Sequence, residues 1–147
     1  MAESPANTFG KAIPVFWVKD VKASVDYYTN ALGFKVDWTA DGFASVSRDK
    51  CNIFLTSDKQ SQPRMWIWIG IEGEVRSLHA QLVAAGAKIR NPPSNFEWAL
   101  EMQIEDLDGN VLRIGSDPED DQPLGIFPDA DGVRWKHLGN GKHERVD

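Results

Sequence analysis

The apolar residues of this chain fall into short runs whose spacing changes from strand-like to helix-like and back. The run "KAIPVFWVKD" is dense in β-forming residues and predicts a strand over Ala12 to Lys19. Asp20 is a good helix N-cap. Val25, Tyr28 and Leu32 then recur at three and four residues, the spacing of one helix face, and Gly33 suits the residue just past the helix end. Three strand-like runs follow, "FKVDW", "FASVS" and "CNIFLT", separated by turns at Asp41-Gly42 and Asp49-Lys50. The polar stretch "SDKQSQP" reads as a loop.

The pattern then restarts. "RMWIWIGI" predicts a strand. Val75, Leu78, Leu82 and Ala85 mark a second amphipathic helix closed by Gly86, and "AKIR" reads as a short strand. "NPPSNFEW" reads as a loop, because Pro92-Pro93 suits neither a helix nor a central strand. "ALEMQIE" and "VLRIG" are strands joined by a tight turn in "DLDGN". Gly33 and Gly86 lie 86 − 33 = 53 positions apart, and the same shift carries Val18 to Ile71, Val25 to Leu78 and Leu32 to Ala85. The chain therefore predicts an α+β fold of two βαβββ modules, over about residues 11–57 and 64–116, with helices on the outer face of a curved mixed sheet and a cleft on the other. Residues 1–117 form one domain on this reading.

Residues 118–147 are a C-terminal extension that keeps Ile126, Phe127, Val133, Trp135 and Leu138, with turns at Asp131-Gly132 and Asn140-Gly141. Disordered tails rarely retain such residues, so a docked hairpin or strand is expected, over the cleft or on a second subunit. The acidic "DPEDDQ" before it reads as a solvated linker.

Composition narrows the function. Sixteen basic against twenty-two acidic residues give −6, which argues against a general nucleic-acid binder and suits a neutral or cationic ligand. The single Cys51 excludes an intrachain disulfide and reads as a buried, inert thiol. No apolar run is long enough to span a bilayer, and the opening "MAESPANTFGK" lacks the features of a signal peptide, so a cytoplasmic protein without membrane partners is expected. Six tryptophans are many for a chain of 147 residues; they are either core or the walls of a pocket for a flat apolar ligand. No phosphate loop or nucleophile elbow is present.

Two stretches carry a family likeness. "VFWVKDVKASVDYYTNALGF" and the hairpin "EMQIEDLDGNVLRIGSD" resemble the first module and the closing hairpin of the glyoxalase / bleomycin resistance / extradiol dioxygenase superfamily, and the likeness spans about residues 12 to 116. The resemblance implies a homodimer. It also implies, in the family's enzymes, a divalent metal held by His or Glu on the first and last strands of each module. Those positions correspond here to Ile13, Phe54, Trp66 and Arg113. None is an ordinary ligand, since a ligand must offer a lone pair and arginine stays protonated. Of the three histidines, His79 reads as a helix packing residue, and His137 and His143 as solvated tail residues.

The expectation is therefore a member of this superfamily with no metal, no cofactor and no catalytic residues. It would sequester a small aromatic or cationic molecule, such as an antibiotic. Strand alternation puts Ile13, Val15 and Trp17 with Phe54, Trp66, Trp68 and Arg113 on the cleft face. Trp38 and Trp98 are candidates for its edge. Either this face stays open or it collapses into a second core. Arg113 weighs against collapse unless it pairs with Glu101 or Glu105. The rival reading is a lyase, isomerase or dioxygenase of the same fold with a metal bound in a non-standard way. A third is an interaction module whose cleft takes a peptide or the chain's own tail.

Overall fold

A computed structural model of the chain describes residues 6–146. The first module contains β1 (Val15–Trp17), α1 (Val21–Asn30), β2 (Lys35–Ala40), β3 (Phe43–Arg48) and β4 (Cys51–Thr56). The second contains β5 (Trp66–Gly70), α2 (Val75–Ala84), β6 (Lys88–Asn95), β7 (Leu100–Glu105) and β8 (Val111–Ser116). Each module builds its own mixed four-stranded sheet, in the orders β1-β4-β3-β2 and β5-β8-β7-β6, and only β1–β4 and β5–β8 pair in parallel. The repeat is visible in the register. Val15 lies opposite Phe54 in the first sheet, and Trp68 (15 + 53) lies opposite Arg113 in the second.

The helices form as their spacing dictates. The Asp20 carboxylate accepts the Ala23 N–H at 3.1 Å and caps α1. Tyr28 and Leu32 are buried, and Gly33 closes the helix in the left-handed region at φ 74°. In α2, Val75 and Leu82 are buried and Leu78 packs against the core. Phe16, Val46, Ile53 and Leu55 of the first sheet join Met102, Ile104 and Leu112 of the second in one continuous apolar cluster on the helix side.

The DLDGN turn fastens the modules together. The buried Asn110 donates from Nδ2 to the Trp17 carbonyl at 3.0 Å and accepts the Met65 N–H at 2.8 Å, so one side chain holds the first strands of both modules. Asp106 accepts from the Tyr28 hydroxyl at 2.8 Å and from Asn110. Burial raises the Asp106 carboxyl above its usual range, and burial raises Tyr28 well above its own.

Two sequence expectations change here. The Pro92-Pro93 segment is not a loop, because β6 continues through it to Asn95. β6 is an edge strand, and its register with β7 shifts between Asn91 and Ser94, so neither proline has to donate to the ladder. The acidic linker is anchored: buried Asn95 accepts from Glu119 N and donates to the Glu119 and Gln122 carbonyls, and Glu119 pairs with Arg76.

The C-terminal segment folds as a third sheet of β9 (Ile126–Pro128), β10 (Arg134–Gly139) and β11 (Lys142–Val146), in the order β11-β10-β9. It docks on β6 and β7 through carbonyls that accept from side chains of the second sheet. The Pro128 carbonyl takes bonds from Arg90 and Gln103, and the Ile126 carbonyl takes one from Asn91.

Candidate functional site

The helix-free faces of the two sheets have different fates. On the first, Val15 and Trp17 lie opposite Phe54 and Thr56, and Ser45 lies opposite Phe54. Trp38 stacks on Phe43 with ring centroids 5.6 Å apart and planes 7° apart, and both rings meet Phe54, at 5.6 and 5.4 Å. Trp38 is nonetheless 46% exposed. Ile13 precedes β1 and is half-buried. Phe43 and Phe54 are half-buried, so Trp38 is the ring that opens this group to solvent.

β2 reaches this face through an irregularity. Its register with β3 shifts between Val36 and Trp38, so that Trp38 pairs with Ser45 and Asp37 is the extra residue. A bulge breaks strand alternation and lets consecutive side chains share a face. The Asp37 carboxylate accepts from Ser47 Oγ at 2.8 Å and Ser45 Oγ at 2.9 Å, beside the ring of Trp38. These bonds, the Ser47 bond foremost, hold the Asp37 carboxyl below its usual range. Asn52 completes the network by donating to Ser45 Oγ. Period-two alternation assigns Asp37 and Trp38 to opposite faces, which is why sequence reasoning misses Asp37.

On the second sheet the predicted residues are occupied by their own chain. Glu101, 1% exposed, accepts from Trp68 Nε1 at 2.9 Å and Trp98 Nε1 at 2.8 Å. It also takes two bonds from Arg113, Nε at 2.8 Å and a terminal nitrogen at 3.2 Å. Arg113 is therefore paired, by the first of the two carboxylates weighed from the sequence. Its guanidinium lies 5.0 Å from the Phe127 ring of β9, and that of Arg90 lies 5.0 Å from the Trp66 ring. Trp68 keeps 49% exposure at the margin.

His137 is not a solvated tail residue. It is half-buried against Phe96, Trp98 and Phe127 and stacks on His143 across β10 and β11. Burial, then His143, holds its imidazole below the ordinary histidine range. Cys51 is half-buried, and burial pushes its thiol up.

The residues at the family's metal positions do not fit a divalent ion. Ile13, Phe54 and Trp66 offer no lone pair, and Arg113 is protonated and spent on Glu101. Among the described residues, no three His, Cys, Asp or Glu side chains gather as a metal cluster.

Two hollows lie elsewhere. One of about 560 Å³ opens between the modules on the helix side, over Leu32, Phe34, Ile69, Leu78, Ile104 and Ile114. The other, about 630 Å³ and largely polar, lies by the start of α1 and the β2–β3 turn. Neither contains a tryptophan, so neither matches the stacking surface that the sequence leads one to expect. No helix of the described residues is long and apolar enough to cross a membrane.

Comparison with known proteins gives a consistent picture. The model of the Glyoxalase/Bleomycin resistance protein/Dioxygenase superfamily matches residues 12–114. No curated protein sequence matches the chain. A bleomycin-binding protein from bleomycin-producing Streptomyces verticillus, solved with copper(II)-bleomycin, superposes with a TM-score of 0.64 at 21% identity, covering 76% of this chain and 98% of that one. A glyoxalase/bleomycin resistance protein/dioxygenase from Nocardioides gives 0.62 at 17%, covering 83% and 93%. TioX from Micromonospora sp. ML1 gives 0.61 at 15%, covering 73% and 98%. At these identities the structural likeness carries the fold alone.

Proposed function

The chain belongs to the glyoxalase/bleomycin resistance protein/dioxygenase superfamily, and we propose that within it this protein is a metal-free small-molecule binder that sequesters an aromatic or cationic ligand, such as an antibiotic. The observation that carries the reading is the Trp38–Phe43–Phe54 group on the first sheet, opened to solvent by Trp38 and flanked by Val15 and Trp17. Exposed stacked aromatics of this kind give a planar ligand a large rigid contact area. In this reading Ile13, Val15, Trp17, Trp38 and Phe54 touch the ligand. Trp98 and Arg113 lie against the C-terminal sheet, and Trp66 and Trp68 are engaged by Arg90 and Glu101 of the second sheet.

The enzymatic alternative finds less support in the donor chemistry. Glu101, the most deeply buried carboxylate near the cleft, already accepts four bonds from Trp68, Trp98 and Arg113. A cytoplasmic homodimer remains part of the proposal. The superfamily's bleomycin-binding member gives the ligand class its precedent.

The experiment is a tryptophan-fluorescence titration with bleomycin-type antibiotics and a panel of aromatic cations, run beside elemental analysis of the purified protein. Saturable quenching without stoichiometric metal is expected. No response to any of them, or a stoichiometric divalent metal lost in Glu101→Ala, would sink the reading.

A further inference from the structure

The irregularity in β2 does more than expose Trp38. It sets a carboxylate next to the ring, on the face where strict alternation would put only one of the two. The carboxylate is fixed as well as placed. Ser45 and Ser47 are buried, and their hydroxyls donate to the two oxygens of Asp37 from one side, leaving the exposed side chain's remaining lone pairs toward solvent. Among the described residues, no lysine or arginine comes within ion-pair distance of Asp37. Serines that hold a surface carboxylate without neutralising it keep a negative charge available beside an aromatic surface.

We propose that Asp37 and Trp38 together form a cation subsite, in which a positively charged group of the ligand rests on the Trp38–Phe43–Phe54 rings with Asp37 as its counter-ion. The inference rests on the reading of this face as ligand-binding and narrows its ligand class to molecules carrying an ammonium, pyridinium or guanidinium-like charge beside an apolar body. The ring faces attract the cation through their quadrupoles, and the anchored carboxylate adds a charge that needs no reorganisation on binding. Lys35 and Lys11 act on Asp37 only at longer range and favour its ionised form, so the counter-ion is present through the neutral pH range.

The test compares N-methylquinolinium with neutral quinoline at about pH 8. The two probes have nearly the same shape and differ in charge, and binding is followed by calorimetry on the full chain. The cation is expected to bind about tenfold more tightly, a gap that closes in Asp37→Asn and shrinks in Trp38→Leu. Asp37 is exposed, so Asp37→Asn keeps the fold, and unchanged thermal unfolding verifies this. Equal binding of the two probes, or an Asp37→Asn variant that keeps the cation's advantage, overturns the cation subsite and leaves the ligand-binding face standing. Binding of neither probe overturns both.

Discussion

Replacing Glu101 with glutamine separates the internal role of the second sheet from any ligand role. Glu101 is the single acceptor that ties Trp68, Trp98 and Arg113 together. Glutamine keeps the shape and one carbonyl oxygen, which can still take an indole N–H. It loses the charge that balances Arg113. Breaking a buried ion pair from one side costs about 3–5 kcal/mol. The Arg113 side chain is 27% exposed and retains the Phe127 face, so we take the lower end, about 3 kcal/mol. In a chain of this size each kcal/mol moves Tm by roughly 2–4 °C, which predicts a fall of about 6–12 °C. Thermal and urea unfolding followed by circular dichroism read both quantities. A double-mutant cycle with Arg113→Met should return a coupling of about 1–3 kcal/mol. If Glu101→Gln unfolds within about 1 kcal/mol of the parent and the cycle gives no coupling, then Arg113 is not held by Glu101 in solution and the second sheet is open to ligand after all.

Other predictions follow from the same contacts. Asn110→Ala removes three side-chain hydrogen bonds, of which the one to the Trp17 carbonyl crosses between the modules, and at about 1 kcal/mol each should cost about 3 kcal/mol in urea unfolding. Phe127→Ala uncovers Arg113 and loosens the cluster with Phe96 and Trp98, so tryptophan emission should shift to the red and stability fall by about 2 kcal/mol, less than for a fully buried ring. His137 titrates below its ordinary 6.5 in the folded chain, so between that folded value and 6.5 the unfolded chain binds more protons. Stability should therefore fall as pH drops through this window, and His137→Gln should flatten the difference in urea midpoints between about pH 7 and pH 5.

Much of the fold is written in local pattern. Tyr28 falls on the buried helix face and Leu32 is buried just past the helix end, as their spacing implies, and the 53-residue offset relates Val15 to Trp68, which pair with the equivalent last strands at Phe54 and Arg113. What the sequence hides depends on non-local geometry. Nothing in "NPPSN" says that its prolines lie on a sheet edge, where an absent N–H is harmless. Nothing in "KVDWT" marks the bulge that turns Asp37 toward Trp38, because alternation is the rule a bulge suspends. The apolar residues of the tail announce that it docks, but not where. Its site follows from carbonyl acceptors such as Pro128, which carry no side-chain signal. The metal positions are legible as chemistry that is missing, whereas the occupation of Arg113 by Glu101 is a contact across two strands that sequence offers only as one option among several.

The central claim is that ligand meets the first sheet while the second is committed to its own tail. The six tryptophans report on it separately, since each indole N–H gives its own signal in a nitrogen–proton correlation spectrum. Titration with an aromatic cation should move the signals of Trp38 and Trp17 and leave those of Trp66, Trp68, Trp98 and Trp135 in place. Movement confined to Trp66, Trp68 and Trp98 with Trp38 unmoved would contradict the account.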